Sequence, residues 1–158
     1  MVTLISFTLL LVVSCKKDST STTSPSTGST SFTYKLNGGA TITIDSSNAT
    51  LYTTGGQRMI DVYAYKSGME VLEFHFTPVT GSKPAGTILG VGSFLTYMDP
   101  SLVSWDSQSG NMNLTTCDTI GKKLVGDFSF IGKEYPYSGS ATRTISDGHM
   151  LVTKLTIQ

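Results

Sequence analysis

Residues 32–44 read FTYKLNGGATITI. Apolar side chains stand at every second position on both sides of Asn37-Gly38-Gly39: Phe32, Tyr34 and Leu36 before it, Ile42 and Ile44 after it. Alternation with a period of two marks a half-buried strand, and Asn-Gly marks a hairpin. Loop length then decides the register. A two-residue turn on Asn37-Gly38 sets Tyr34 opposite Thr41 and splits the apolar faces. A three-residue loop with a glycine bulge sets Tyr34 opposite Ile42 and Phe32 opposite Ile44. A slip of one residue turns every side chain over, so the second register is the expected one.

The same period continues outward from this hairpin. Leu72, Phe74 and Phe76 alternate with Val71, Glu73 and His75, and Met112 and Leu114 with Asn111 and Asn113. Phe128 and Phe130 alternate with Asp127 and Ser129, which makes the two rings expected core anchors. Leu151, Leu155 and Ile157 share a face opposite Val152, Lys154 and Thr156. Ser67-Gly68, Thr119-Ile120-Gly121 and Ser146-Asp147-Gly148 mark three further hairpins. Turn residues break the runs roughly every ten positions, and no window carries a helical stripe. The expected fold is all-β, an antiparallel β-sandwich or flattened β-barrel, mostly hairpin-connected. It occupies residues 32–158 as a single domain, a length that suits one.

The N-terminal part reads differently. Residues 2–13, VTLISFTLLLVV, carry no charge. As a helix at ~1.5 Å per residue they would span about 18 Å, short of a hydrocarbon core of roughly 30 Å. That length suits the apolar region of a secretory signal. Val12-Val13-Ser14-Cys15 resembles the lipobox of bacterial lipoproteins, although Met1 to Ser14 lacks the usual opening Lys or Arg. The resemblance implies a signal peptide over 1–14, cut before Cys15, and lipid on the Cys15 thiol. Ser14-Cys15-Lys16-Lys17-Asp18 is similar to the start of mature lipoproteins of the Bacteroidota. This implies anchorage to the outer membrane, at the cell surface or the periplasmic face. From Ser19 to Ser31 every residue except Pro25 and Gly28 is Ser or Thr. Such a segment has no apolar side chain to bury, so 15–31 is expected to be a lipidated cysteine on a disordered tether. Residues 16–31 would reach roughly 20 to 24 Å as a flexible coil. Asp18-Ser19-Thr20 and Asp118-Thr119-Ile120 resemble the short O-glycosylation motif of the Bacteroidota.

The C-terminal half resembles a family of uncharacterised Bacteroidota lipoproteins. That family runs "G-x-I-x-I-T", then "G-T-F-S-F", then "T-D-G-x-F". The matching stretches here are GNMNLTT (110–116), LVGDFSF (124–130) and ISDGHM (145–150), and FTYKLNG (32–38) is similar to the family's start. Asp127 stands where Thr is usual, and Met150 where Phe is usual. The resemblance implies a β fold and an envelope address. It brings no catalytic residue.

The chemistry-bearing residues are sparse. Formal charge is zero, and within residues 32–158 no basic cluster occurs beyond Lys122-Lys123, so nucleic acid is not an expected partner. Two histidines are few for a metal site, and no H-E-x-x-H, C-x-x-C, G-x-S-x-G or phosphate loop occurs. Neither metal nor cofactor is expected. His75 and His149 read as hydrogen-bonded surface residues. Gly90-Val91-Gly92 reads as a strand bend. Glu70 and Glu73, three apart, fall on opposite faces of a regular strand and make no acid–base pair. Asp99 and Asp106 flank Trp105 without the alternating ligands of a calcium loop. Cys117 is the one thiol left once Cys15 is lipidated, and no base stands beside it. The aromatics carry the positive signal. Tyr135-Pro136-Tyr137 lies in a loop, and Tyr97 and Trp105 bracket another. Rings on loops suit stacking on sugars or on a protein partner; the alternative is that they close the ends of the core. The expected function is a non-enzymatic binding module of the cell envelope, tethered to the membrane through Cys15. Its partner is a glycan or a surface protein, and its contact surface is Trp105, Tyr135, Tyr137 and Tyr97. A lipocalin-like carrier of a small apolar ligand is the first alternative and an enzyme the second.

Overall fold

The computed structural model describes residues 31–86 and 92–158. The signal peptide, Cys15, nearly all of the tether and the Gly90-Val91 bend lie outside the described residues. Eleven strands follow in order: β1 (Thr33–Leu36), β2 (Thr41–Thr43), β3 (Ser46–Thr54), β4 (Gln57–Lys66), β5 (Met69–Phe76), β6 (Gly81–Pro84), β7 (Ser93–Met98), β8 (Ser104–Asp118), β9 (Lys123–Glu134), β10 (Thr142–Val152) and β11 (Leu155–Ile157). The described residues contain no helix.

All eleven strands belong to one sheet, ordered β11-β3-β4-β5-β7-β8-β9-β10-β1-β2, with β6 paired to β8. The sheet curls strongly into a half-barrel. Every named pairing is antiparallel except that of β11 with β3. The curl brings β10 against β3, where the Ser47 hydroxyl donates to the Leu151 carbonyl at 3.4 Å. A twisted sheet has one face to cover, and curling lets it cover that face with itself.

The opening hairpin has the expected register. Tyr34 pairs with Ile42, and the Ile44 amide donates to the Phe32 carbonyl at 2.9 Å. Asn37 (φ 50°) and Gly38 (φ 69°) supply the left-handed residues that let the loop match strand twist. The concave side holds one apolar cluster. Leu72, Phe74, Phe76, Met112, Leu114, Phe128 and Phe130 all lie inside it. The Phe74 and Phe128 rings meet edge to face at 4.7 Å, and Phe32 adds a third ring 5.8 Å from Phe128.

Three expectations are corrected. Ser146-Asp147-Gly148 is a bulge inside β10, where the pairing with β9 shifts between Ile145 and Gly148. Asp147 (φ 48°) turns outward to Lys35 at 2.9 Å, and Gly148 lies so close to Phe128 that a Cβ would stand 2.5 Å from its ring. The C-terminal alternation is not one strand. The chain leaves β10 after Val152 and crosses to β3, so Met150, Val152 and Leu155 are buried, Leu151 is half-buried and Ile157 is 49% exposed. Trp105 and Tyr97 belong to strands, and the loop between them is 99–103. A further hairpin at Gly55-Gly56 joins β3 to β4.

Strand directions give the curled sheet two ends. One carries the loops at 37–40, 67–68, 99–103 and 135–141; the other carries the turns at 55–56, 77–80 and 119–122, and β10 runs on toward it through the 153–154 bend into β11. β1 runs toward the first of these ends.

Candidate functional site

Alternation that buries one side of a strand presents the other. On the outward face of β3, β4 and β5 stand Tyr52, Asp61, Tyr63, Tyr65, Glu73 and His75, all partly exposed. Asp61 pairs across the ladder with His75, and Tyr63 with Glu73. Cross-strand neighbours stand within side-chain reach, and here they form a chain of contacts. The Tyr52 hydroxyl donates to Asp61 Oδ1 at 3.0 Å. His75 Nδ1 lies 2.7 Å from the same oxygen, and Nε2 lies 3.1 Å from Glu73 Oε1. An imidazolium donating from both nitrogens fits this pair of carboxylates. The Glu73 carboxylate, with Asp61 behind it, raises the His75 pKa against the opposing effect of burial. The same hydrogen bond from His75 holds Glu73 below the usual carboxylate range.

Glu70 joins this face. In a regular strand it would oppose Glu73. A bulge between Glu70 and Leu72 leaves Val71 packed on the core and returns Glu70 to the outward side, opposite Tyr65. Burial, then the nearby Glu73 charge, raise its pKa. The expectation of opposite faces is thus corrected by one extra residue.

The row through Tyr63 and Glu73 continues across the sheet to Thr96 on β7, Asp106 on β8 and Lys133 on β9. Asp106 is 6% exposed and fully engaged. Thr96 and Ser104 donate to its Oδ1 at 3.0 and 2.9 Å, and the Tyr137 hydroxyl donates to its Oδ2 at 2.7 Å. Desolvation, reinforced by that carboxylate, pushes the Tyr137 hydroxyl up to about 12. Tyr135 meets Tyr137 edge-on at 5.5 Å and is 64% exposed.

The four expected contact rings therefore divide. Tyr135 and Tyr137 lie at the surface, on the loop that was expected. Trp105 and Tyr97 do not: they are 3% and 4% exposed and belong to the core. Both point to the concave side because their strand positions alternate with outward Asp106 and Thr96. Arg143 covers the indole at 4.2 Å, and Trp105 Nε1 donates to Asp99 at 3.3 Å. Asp99 also accepts from the Ser101 and Val103 amides at 2.8 and 3.1 Å, so its oxygens close the 99–103 loop. Among the described residues no group of three His, Cys, Asp or Glu could hold a metal.

The remaining candidates have structural surroundings. Cys117 is half-buried against the core, and burial raises its pKa despite Arg58 and Lys83 nearby. His149 is buried. Its Nδ1 meets Asp127 Oδ1 at 2.8 Å, and its Nε2 is buried without a partner. Asp118 accepts from the Ile120 and Gly121 amides at 3.0 and 2.7 Å and so folds its own turn.

Sequence reasoning missed the outward tyrosines Tyr52, Tyr63 and Tyr65. A signal was present: each stands among polar residues on the face opposite Leu51, Val62 and Ala64. Comparison with known proteins gives no match, whether to a family model, a curated sequence or a solved structure.

Proposed function

We propose that the chain is a non-enzymatic binding module of the bacterial envelope, tethered through its N-terminus, and that its outward face takes a neutral glycan. One observation carries the reading. Two tyrosine groups stand on the same face, Tyr52 with Tyr63 at one side and Tyr135 with Tyr137 at the other, and a row of fixed acceptors and hydroxyls runs between them. From β4 to β8 the row crosses three strand spacings, about 14 Å. Tyrosine rings offer flat apolar area at little conformational cost, and the partly exposed carboxylates of Asp61, Glu70 and Glu73 accept from sugar hydroxyls, while nearly buried Asp106 fixes Tyr137. Asp61, Glu70, Glu73 and Asp106 outnumber the cations of this row, His75 and Lys133. That balance disfavours acidic sugars.

The apolar-carrier alternative draws no support from the concave side, which Phe74, Phe76, Phe128 and Phe130 fill. The test is retention on immobilised polysaccharides. The protein should be held by neutral polymers and not by uronate-rich ones, and Tyr135→Ala and Tyr63→Ala should elute early. Elution of both variants with the unsubstituted protein would sink the reading. The tether is tested apart from it: Cys15→Ser should abolish labelling by a palmitate analogue, and undiminished labelling would remove Cys15 as the anchor.

A further inference from the structure

The charge of the described domain is not spread evenly. The turns at 55–56, 77–80 and 119–122 carry exposed Arg58, Lys122 and Lys123, with exposed Lys154 on the bend after β10 and Lys83 buried against the Val79 and Gly81 carbonyls; the nearest carboxylate side chain of these turns is Asp118. Their proximity follows from pairing. Lys123 faces Asp118 across the β8–β9 ladder, and Lys154 lies two residues beyond Val152, the partner of Leu124. Arg58 is close enough to Cys117, next to Asp118, to perturb its thiol. Asp118 is already bound to the amides of its own turn. The opposite end and the outward face hold the other nine acids of the described chain against Lys35, Lys66, Lys133 and Arg143.

The basic end also bears apolar tips. Ile120 is 94% exposed and Val79 63% exposed, each at the apex of a turn. A lone exposed apolar residue is ordinary. Two at turn apices, ringed by cations and with almost no anion, match the chemistry of a lipid headgroup layer: charge for the phosphates, a side chain for the acyl boundary. The position of the chain supports this occupant. β1 runs away from the basic end toward Asn37-Gly38-Gly39, so Ser31 and Phe32, which lead into it, stand on its basic side.

We infer that this end, centred on Ile120, Lys122 and Lys123, docks on an anionic phospholipid surface, and that the tyrosine end thereby points away from the membrane. The inference rests on the tether reading above and adds an orientation to it. Salt weakens such docking, because exposed charges are screened over about 10 Å at 0.1 M.

The chain has one tryptophan, Trp105, which β7 and β8 place at the far end. It serves as an internal control. The full chain is mixed with phosphatidylglycerol–phosphatidylethanolamine vesicles whose acyl chains are brominated. The emission gained by Ile120→Trp should be quenched, and Trp105 emission in the unsubstituted protein should not. Lys122→Ser/Lys123→Ser should weaken association with anionic vesicles about 25-fold at low salt, from about five-fold per lysine. It should leave association with pure phosphatidylcholine unchanged. Ile120→Trp emission that stays unquenched while the chain sediments with vesicles overturns the docking and leaves the tether standing. Equal quenching of Trp105 overturns the orientation. Failure of the unsubstituted chain to sediment with anionic vesicles overturns the docking and leaves the tether to the Cys15→Ser labelling test.

Discussion

Along β5, Leu72, Phe74 and Phe76 are 1%, 0% and 0% exposed, whereas Glu73 and His75, one position away, face outward within a hydrogen-bonded group. The two faces of this strand obey different physics. The concave face is close-packed, so each atom removed leaves a void. The outward face is held by directed contacts among charged and hydroxylated side chains that water also reaches. Most single changes there should alter the pH response more than folding. The contrast can be broken by measurement.

The largest effect should come from the concave side. Phe130→Ala removes a ring that is 2% exposed and should cost about 3–5 kcal/mol in denaturant unfolding. A loss under about 1 kcal/mol would mean that the cluster is not the seat of stability. Tyr137→Phe comes next, because Asp106 is nearly buried and loses one of its donors. A hydrogen bond to a charged group contributes about 1.5–3 kcal/mol, and no measurable change would place Asp106 in contact with solvent. Gly148→Ala overpacks the Phe128 ring and should cost about 1–3 kcal/mol, showing that the β10 bulge is set by contact with the core.

The pH response sharpens the comparison from the other side. His75 has a raised pKa when folded, so its contribution is full below the ordinary imidazole value near 6.5 and is lost as pH rises through the folded value. Glu73 is lowered, so its contribution is present above the ordinary 4.5 and is lost as pH falls through its folded value. Glu70 is raised and opposes this, its ionised form costing stability above the ordinary value. Unfolding free energies measured from pH 6 to 9 should fall in the unsubstituted protein and flatten in His75→Gln. An identical slope in both would detach His75 from the outward network. Tyr135→Ala should have the smallest effect on folding, within about 0.5 kcal/mol, because the ring is 64% exposed.

The pattern of residues determined a good deal. Period-two alternation named the inward rings of β5 and β9 and the inward Met112 and Leu114 of β8, and the loop at Asn37-Gly38-Gly39 named its register, because a wrong register would have exposed Phe32 and Tyr34. Both are local matters of which face must leave water. Half of the candidate surface was legible in the same way, since Tyr135 and Tyr137 lie where turn residues placed a loop. What alternation cannot reveal is where it fails. One extra residue at Val71 moved Glu70 to the face of Glu73, and the bulge at Asp147 turned an expected hairpin into a continuous strand. Bulges answer to a partner strand far away in the chain. Trp105 and Tyr97 went inward for a related reason: the ladder between β7 and β8 begins at Met98 and Ser104, close to the loop, and draws both rings into the curl. The curl of the sheet, the parallel return of β11 onto β3 and the gathering of cations toward one end arise from long-range pairing. Only the folded chain decides those.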